Sequence, residues 1–138
     1  MEYLQGKLSK YDNVYFLSHT INPEYDTPEV LKEYALKAEK QYGANLESWN
    51  FVTGDKDSIY NIAKSYLSVV AESNEEGSHA GRIHSQDFIL IDDKGRIRSG
   101  YDSSNNPVGS YDSSRDSNIK DLIIDVGVLV SEIKRNNR

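Results

Sequence analysis

Apolar positions in this chain recur at two different spacings, and the changes between them mark out the elements. Leu4, Leu8 and Tyr11 fall at i, i+4 and i+7 with no proline between them, which predicts a short amphipathic helix over residues 2–11 that starts without an N-cap. Asp12-Asn13 interrupts it. Val14-Tyr15-Phe16-Leu17 then forms a continuous apolar run, more typical of an interior parallel strand than of a half-exposed antiparallel one. The loop 18–26 contains His19, Asn22 and Pro23 and ends at Thr27-Pro28, an N-cap followed by proline at the first helical position. Leu31, Tyr34, Ala35, Ala38 and Tyr42 share one face of the predicted helix, and Gly43 stops it.

Trp49 and Phe51 alternate with polar neighbours over 48–52, the pattern of a short edge strand. Ile59, Ile62, Ala63 and Tyr66 mark a third helix. Residues 72–82 are polar and glycine-containing, which predicts a surface loop. Phe88 to Ile91 is apolar throughout, Asp92-Asp93-Lys94-Gly95 has turn chemistry, and 96–101 returns as a second strand, so 84–102 is read as a strand buried on both faces opening a hairpin. A Ser/Asn/Asp-rich connection follows. Asp116 or Ser117 is then expected to cap a final helix with Ile119, Leu122, Ile123, Val126, Val130 and Ile133 inward and Lys134 and Arg135 in its last turn. The order α-β-α-β-α-ββ-α implies helices on both faces of a mixed sheet, an α/β class.

The chain has 138 residues, 37% of them apolar and 28% charged. That is enough for one domain with its own core. A net charge of −6 and no basic stripe argue against nucleic acid as a partner. No apolar run reaches the roughly 18 residues of a membrane span, and M-E-Y-L-Q-G-K-L is not a targeting segment. The chain as given is expected to be soluble. Cysteine is absent, which excludes thiol redox chemistry and thiolate metal sites within these residues.

His84, just upstream of the hairpin, is the leading candidate for function, because imidazole binds transition metals and titrates near neutrality. A hydrogen-bonded loop histidine is the alternative. His79 and His19 could converge with it on zinc, but the H-x₄-H spacing is not a recurrent ligand pattern. The acidic segment 102–118 lacks the glycine and glutamate of an EF-hand loop in either frame, so Asx turns and helix capping explain its composition. Asp92 and Asp93 enter a turn as neighbours, which predicts two solvated carboxylates rather than an acid–base pair. Tyr34, Tyr42, Tyr60 and Tyr66 are expected in the core or at its boundary.

Three blocks in order, N-V-Y-F-L-S-H-T-I-N-P-E-Y-D-T-P-E-V-L-K-E-Y-A, V-T-G-D-K-D-S-I-Y-N-I-A-K-S-Y and I-H-S-Q-D-F-I-L-I-D-D-K-G-R-I-R-S-G-Y-D, resemble the Sco/SenC family. The resemblance runs from Met1 to the last helix. It implies a thioredoxin-like fold and a role in copper delivery or thiol–disulfide electron transfer during cytochrome c oxidase assembly. The implied partner is the oxidase's copper-bearing subunit, and the implied place is the periplasm or cell envelope, with a membrane tether on the parent protein. The family's copper site, as the resemblance implies, joins two cysteines of a C-x-x-x-C motif to one histidine before a hairpin strand. His84 matches that histidine, and the cysteines have no counterpart. Asn22 stands where the family's D-P-E-x-D-T-P block begins with Asp, whereas Pro23, Asp26, Thr27 and Pro28 match.

By the same resemblance residues 1–138 form one Sco-like domain, incomplete at the N-terminus and missing the N-terminal strands, including the central one. The Val14–Leu17 and Phe88–Ile91 strands would then each present an unpaired edge. Either they pair directly in a rearranged sheet, or the edges recruit a second copy into a homo-oligomer. Copper belongs to the full-length parent and is not expected to bind this chain. The other functional reading is a redox-dead thioredoxin-like module that binds a protein partner without metal or chemistry.

Overall fold

A computed structural model describes residues 1–20, 22–72 and 87–137, with residues 66–72 as backbone alone. The elements are α1 (Glu2–Leu8), β1 (Phe16–His19), α2 (Pro28–Tyr42), β2 (Trp49–Val52), α3 (Lys56–Glu72), β3 (Asp87–Phe88), β4 (Leu90–Ile91), β5 (Ile97–Arg98), β6 (Tyr111–Asp112) and α4 (Asp116–Asn136). They fall into two units, Met1–Lys64 and Ser65–Arg138, and α3 runs from one into the other. Among the described residues there are one parallel strand pair and two antiparallel pairs with four helices. This mixed α/β composition is consistent with a thioredoxin-like Sco fold.

In the first unit β1 and β2 run parallel, with Phe16 opposite Trp49 and Ser18 opposite Phe51. These side chains share the inner face, since alternate residues of a strand point the same way. Trp49, Ala38 and Ala44 form the buried cluster, and Phe16, Phe51 and Met1 pack against it. The Trp49 indole N–H donates to Ser18 Oγ at 2.9 Å, so the one polar atom of the ring is satisfied as it is buried. Helix α2 has the predicted ends: Val30 N–H donates to Thr27 Oγ1, and Gly43 takes φ +68° with its N–H on the last carbonyls. Gln5 is buried within the apolar stripe of α1. Its amide donates to the Asn45 carbonyl at 2.9 Å and accepts from Asn45 N–H at 3.1 Å, which ties α1 to the loop before β2.

Several expectations change. Strand β1 is parallel, as its apolar run implied, but it lies two residues later and is half-exposed, with Leu17 59% accessible. The reason is that α2 covers one face only. Tyr34 and Tyr42 are exposed and not core, although Tyr34 still sets its ring edge-on to Phe51 with centroids 5.4 Å apart. Among the described residues β1 pairs with β2 alone. The loop predicted over 72–82 lies almost wholly outside the described residues.

In the second unit the hairpin forms where expected, with Gly95 at φ +76° and Ile91 opposite Ile97. The preceding strand is not buried on both faces. It divides at Ile89 into β3, paired with β6, and β4, paired with β5; Phe88 and Leu90 are half-buried and Ile91 is exposed. Helix α4 is capped by Arg115 without a side-chain bond, so neither Asp116 nor Ser117 is the cap; Asp116 occupies the first turn. Its buried residues are Leu122, Val126, Leu129 and Val130, while Ile119, Ile123 and Ile133 are only half-buried.

The acidic connection before α4 is built from Asx turns, as its composition suggested. Asp102 Oδ1 accepts from Ser104 and Asn106 N–H, and Asp112 Oδ1 accepts from Ser114 N–H. Tyr111 lies in the same connection and is the most deeply buried large side chain, 1% exposed. Its hydroxyl donates to Asp125 Oδ2 at 2.6 Å, and Gly100 N–H donates to both oxygens. Burial and the Asp125 carboxylate both push the Tyr111 pKa up, so the phenol stays protonated and remains a donor. A Cβ on Gly100 would come 2.7 Å from Asp125 Oδ2, which explains the small residue there. Tyr111→Phe is expected to destabilise the protein by about 1–3 kcal/mol, because Asp125 loses a buried donor; urea unfolding read at matched m-values checks this.

Candidate functional site

The hairpin turn is held by a buried carboxylate. The Asp92 side chain is 1% exposed. Its Oδ1 accepts from Lys94 N–H at 3.0 Å and Arg96 N–H at 2.9 Å, and its Oδ2 accepts from Arg96 Nε at 2.9 Å and faces Arg98 Nη1 at 3.4 Å. Arg96 and Arg98 are two residues apart on an extended segment and so reach the same side. Arg98 continues to α4, where its guanidinium engages Glu132 in a fork, with Nη2 to Oε2 at 2.6 Å. Such bidentate pairs fix orientation as well as charge. The Arg96 side chain, with the backbone N–H groups of the turn, holds the Asp92 carboxyl far below the usual carboxylate range. Arg98 likewise lowers Glu132, and Glu132 raises Arg98.

The expectation that Asp92 is solvated is therefore wrong, whereas Asp93 is exposed as predicted. The turn draws the acidic side chain inward because two arginines return beneath it. A carboxylate held so far toward its charged form is a poor general acid or base near neutrality. Asp92 is thus a positioning residue for the hairpin. Sequence held a signal for it: the spacing D-D-K-G-R-I-R places an acid four and six residues before two arginines across a tight turn.

His84 and His79 lie outside the described residues. The nearest described segment downstream of His84 is β3. Asp87 pairs with Asp112, and Ser110 Oγ donates to Asp87 Oδ2 at 3.2 Å.

A second candidate region stands at the carboxyl ends of the parallel strands β1 and β2, where α/β proteins commonly place ligands. His19 is the last residue of β1 and is exposed. Thr20 is 6% exposed, and its N–H extends the ladder to the Val52 carbonyl. Its hydroxyl donates to Asp26 and accepts from Asn22 N–H, while the Asn22 carbonyl accepts from Tyr25 and Asp26 N–H. Asn22 closes the loop through its backbone, a role open equally to asparagine and aspartate. Glu24 reaches Lys56 at the start of α3 at 3.2 Å, and Asp55 caps that helix by accepting from Ser58 N–H at 2.9 Å.

Among the described residues no three His, Cys, Asp or Glu side chains are grouped to hold a metal ion. The Oδ1 atoms of Asp102 and Asp112 each accept from backbone N–H groups, and Asp112 Oδ2 faces Arg115 Nε at 3.2 Å. Also among the described residues, no helix is long and apolar enough to cross a membrane.

A family model described as SCO1/SenC matches residues 1–115. The SCO1 protein homolog of Bacillus subtilis (strain 168) is 30% identical over 106 residues, which cover 75% of this chain and 51% of that protein. The chain therefore spans about half the length of the curated relative it matches. No solved structure matches it.

The Asp92 network gives a pH dependence of definite sign. A carboxyl whose folded pKa lies below its unfolded value contributes its stability above about pH 4, and that contribution is lost as pH falls through the folded value. Asp92→Asn is expected to lower the melting temperature at pH 7, with the gap from the parent closing as the pH drops below about 4. Thermal melts across pH 2–8 measure it, and a pH-independent gap would contradict the assignment.

Proposed function

The chain belongs to the SCO1/SenC family, and from that premise we propose that residues 1–138 are a single Sco-type domain of copper delivery or thiol–disulfide electron transfer in cytochrome c oxidase assembly. The observation that carries this reading is the family match over residues 1–115, which includes all three sequence blocks. On this reading copper is cargo, and the partner is the copper-bearing subunit of the oxidase. The parent protein works in the periplasm or cell envelope and is tethered to the membrane.

The residues present do not fit copper(I), which favours thiolates. None of the 138 residues is a cysteine. His84, which the resemblance matches to the family's metal histidine, supplies one imidazole, so on this reading the metal site and the exchange reaction depend on a C-x-x-x-C motif outside these residues. Among the described residues β1 is paired on one side only, and Leu17 stands exposed on the open face of the pair, so the free edge of β1 can accept a further strand. That strand comes from the parent's own N-terminal part or, without it, from a second copy.

The absence of cysteine also favours a second reading, a redox-dead thioredoxin-like module that holds a protein partner without metal. The genomic DNA upstream of the Met1 codon separates the two. An in-frame C-x-x-x-C with a signal or lipoprotein segment supports the first, and its absence supports the second.

Copper(I) titration of the 138-residue chain against a chromophoric chelator is expected to show no one-to-one complex of submicromolar affinity, with no change on His84→Ala. A tight complex lost in that variant would overturn the claim that the thiolates are indispensable.

A further inference from the structure

Helix α4 buries Leu122, Val126, Leu129 and Val130, yet it leaves a second apolar pair facing outward, with Ile124 62% and Val128 60% exposed. Asp121, Ile124, Val128 and Arg135 lie on one strip, because at about 100° per residue they fall within about 60° of one another around the axis. Ile124, Gly127, Val128, Ser131, Glu132 and Arg135 line an open groove along this side. All six come from a single helix, so the groove has no walls to enclose a small ligand.

Gly127 lies in the helix interior, where glycine is weaker than alanine. The Ser131 hydroxyl folds back onto the Gly127 carbonyl at 2.8 Å. These two small residues strip bulk from one flank of the Val128 ridge, which allows a second helix to approach closely.

We propose that this strip is a homodimer interface in which α4 packs antiparallel on α4 of a second copy, with Val128 at the two-fold axis. Asp121 and Arg135 each lie seven residues from Val128. An antiparallel partner therefore sets Asp121 opposite the partner subunit's Arg135, and the symmetry repeats the pair at the other end. A parallel partner in register would oppose like charges at both ends, so charge selects the antiparallel arrangement. Neither residue forms a salt bridge with another described residue. Antiparallel macrodipoles add to the preference. One helix pair buries less than the roughly 1,200–2,000 Å² of a tight interface, so the dimer is weak and forms at high concentration.

Sedimentation equilibrium of the full chain at low salt, from micromolar to millimolar concentration, tests this. The expected result is a concentration-dependent dimer that Val128→Lys weakens by at least about tenfold. Asp121→Arg and Arg135→Asp are each expected to weaken it, and the two together to restore it. The charge swap alters exposed side chains only, so it decides the case should Val128→Lys disturb folding. A monomer at millimolar concentration overturns the proposal, as does a double swap that fails to restore dimerisation. So does a dimer that survives Val128→Lys but is lost in Leu17→Lys, which assigns self-association to the β1 edge instead.

Discussion

Two strands alone bury too little surface to be stable in water, and every described strand pair in this protein has two strands. Each pair is therefore held by something else. The β1/β2 pair rests on α2 through Trp49 and Ala38, and its second face is left open. The β4/β5 hairpin is held at its turn by Asp92 and tied to α4 by the Arg98–Glu132 fork. The β3/β6 pair is tied to the same helix by Tyr111, whose hydroxyl meets Asp125. Polar groups do much of this holding. Arg98 and Tyr111 are directional, so they fix where each small sheet sits, and a few apolar side chains then suffice to exclude water.

The same dependence explains why chemistry and scaffold separate in this chain. The charged residues that attract attention, Asp92, Arg96, Arg98 and Glu132, are paired with one another and position a hairpin. Asp102 and Asp112 fold turns. Thr20 and Asp26 shape the loop at the ends of β1 and β2. What the family reading requires of copper chemistry, a pair of thiolates, is the one ingredient that cannot be improvised from these groups. Carboxylates committed to N–H donors and guanidinium groups are hard ligands already occupied, and copper(I) is a soft ion.

Much of the fold was legible along the chain. Thr27-Pro28 and Gly43 set the ends of α2, because capping is a local event among neighbouring residues. Gly95 marked the hairpin turn, since a positive φ is a property of one residue. The Asx turns followed from Asp and Asn beside small residues. Three ordered blocks pointed to the family through their residue identities alone. The errors cluster where folding, and not residue type alone, sets a residue's surroundings. Asp92 reads as a solvated acid until the turn folds Arg96 and Arg98 back onto its carboxylate, and Tyr34 and Tyr42 read as core until α2 shows how narrow its buried face is.

Sequence by itself determined the helices, the turns, the parallel character of β1, the family and the lack of a thiol among these 138 residues, all of which depend on residue type and short-range spacing. Only the tertiary structure decided that Asp92 is buried, that Gln5 ties α1 to Asn45, and that Tyr111 locks β6 to Asp125 and Gly100. It also decided that α4 turns Ile124 and Val128 outward. Each of these depends on which remote group fills the space beside a side chain, and a polar residue can be buried only where its hydrogen-bond partners arrive with it.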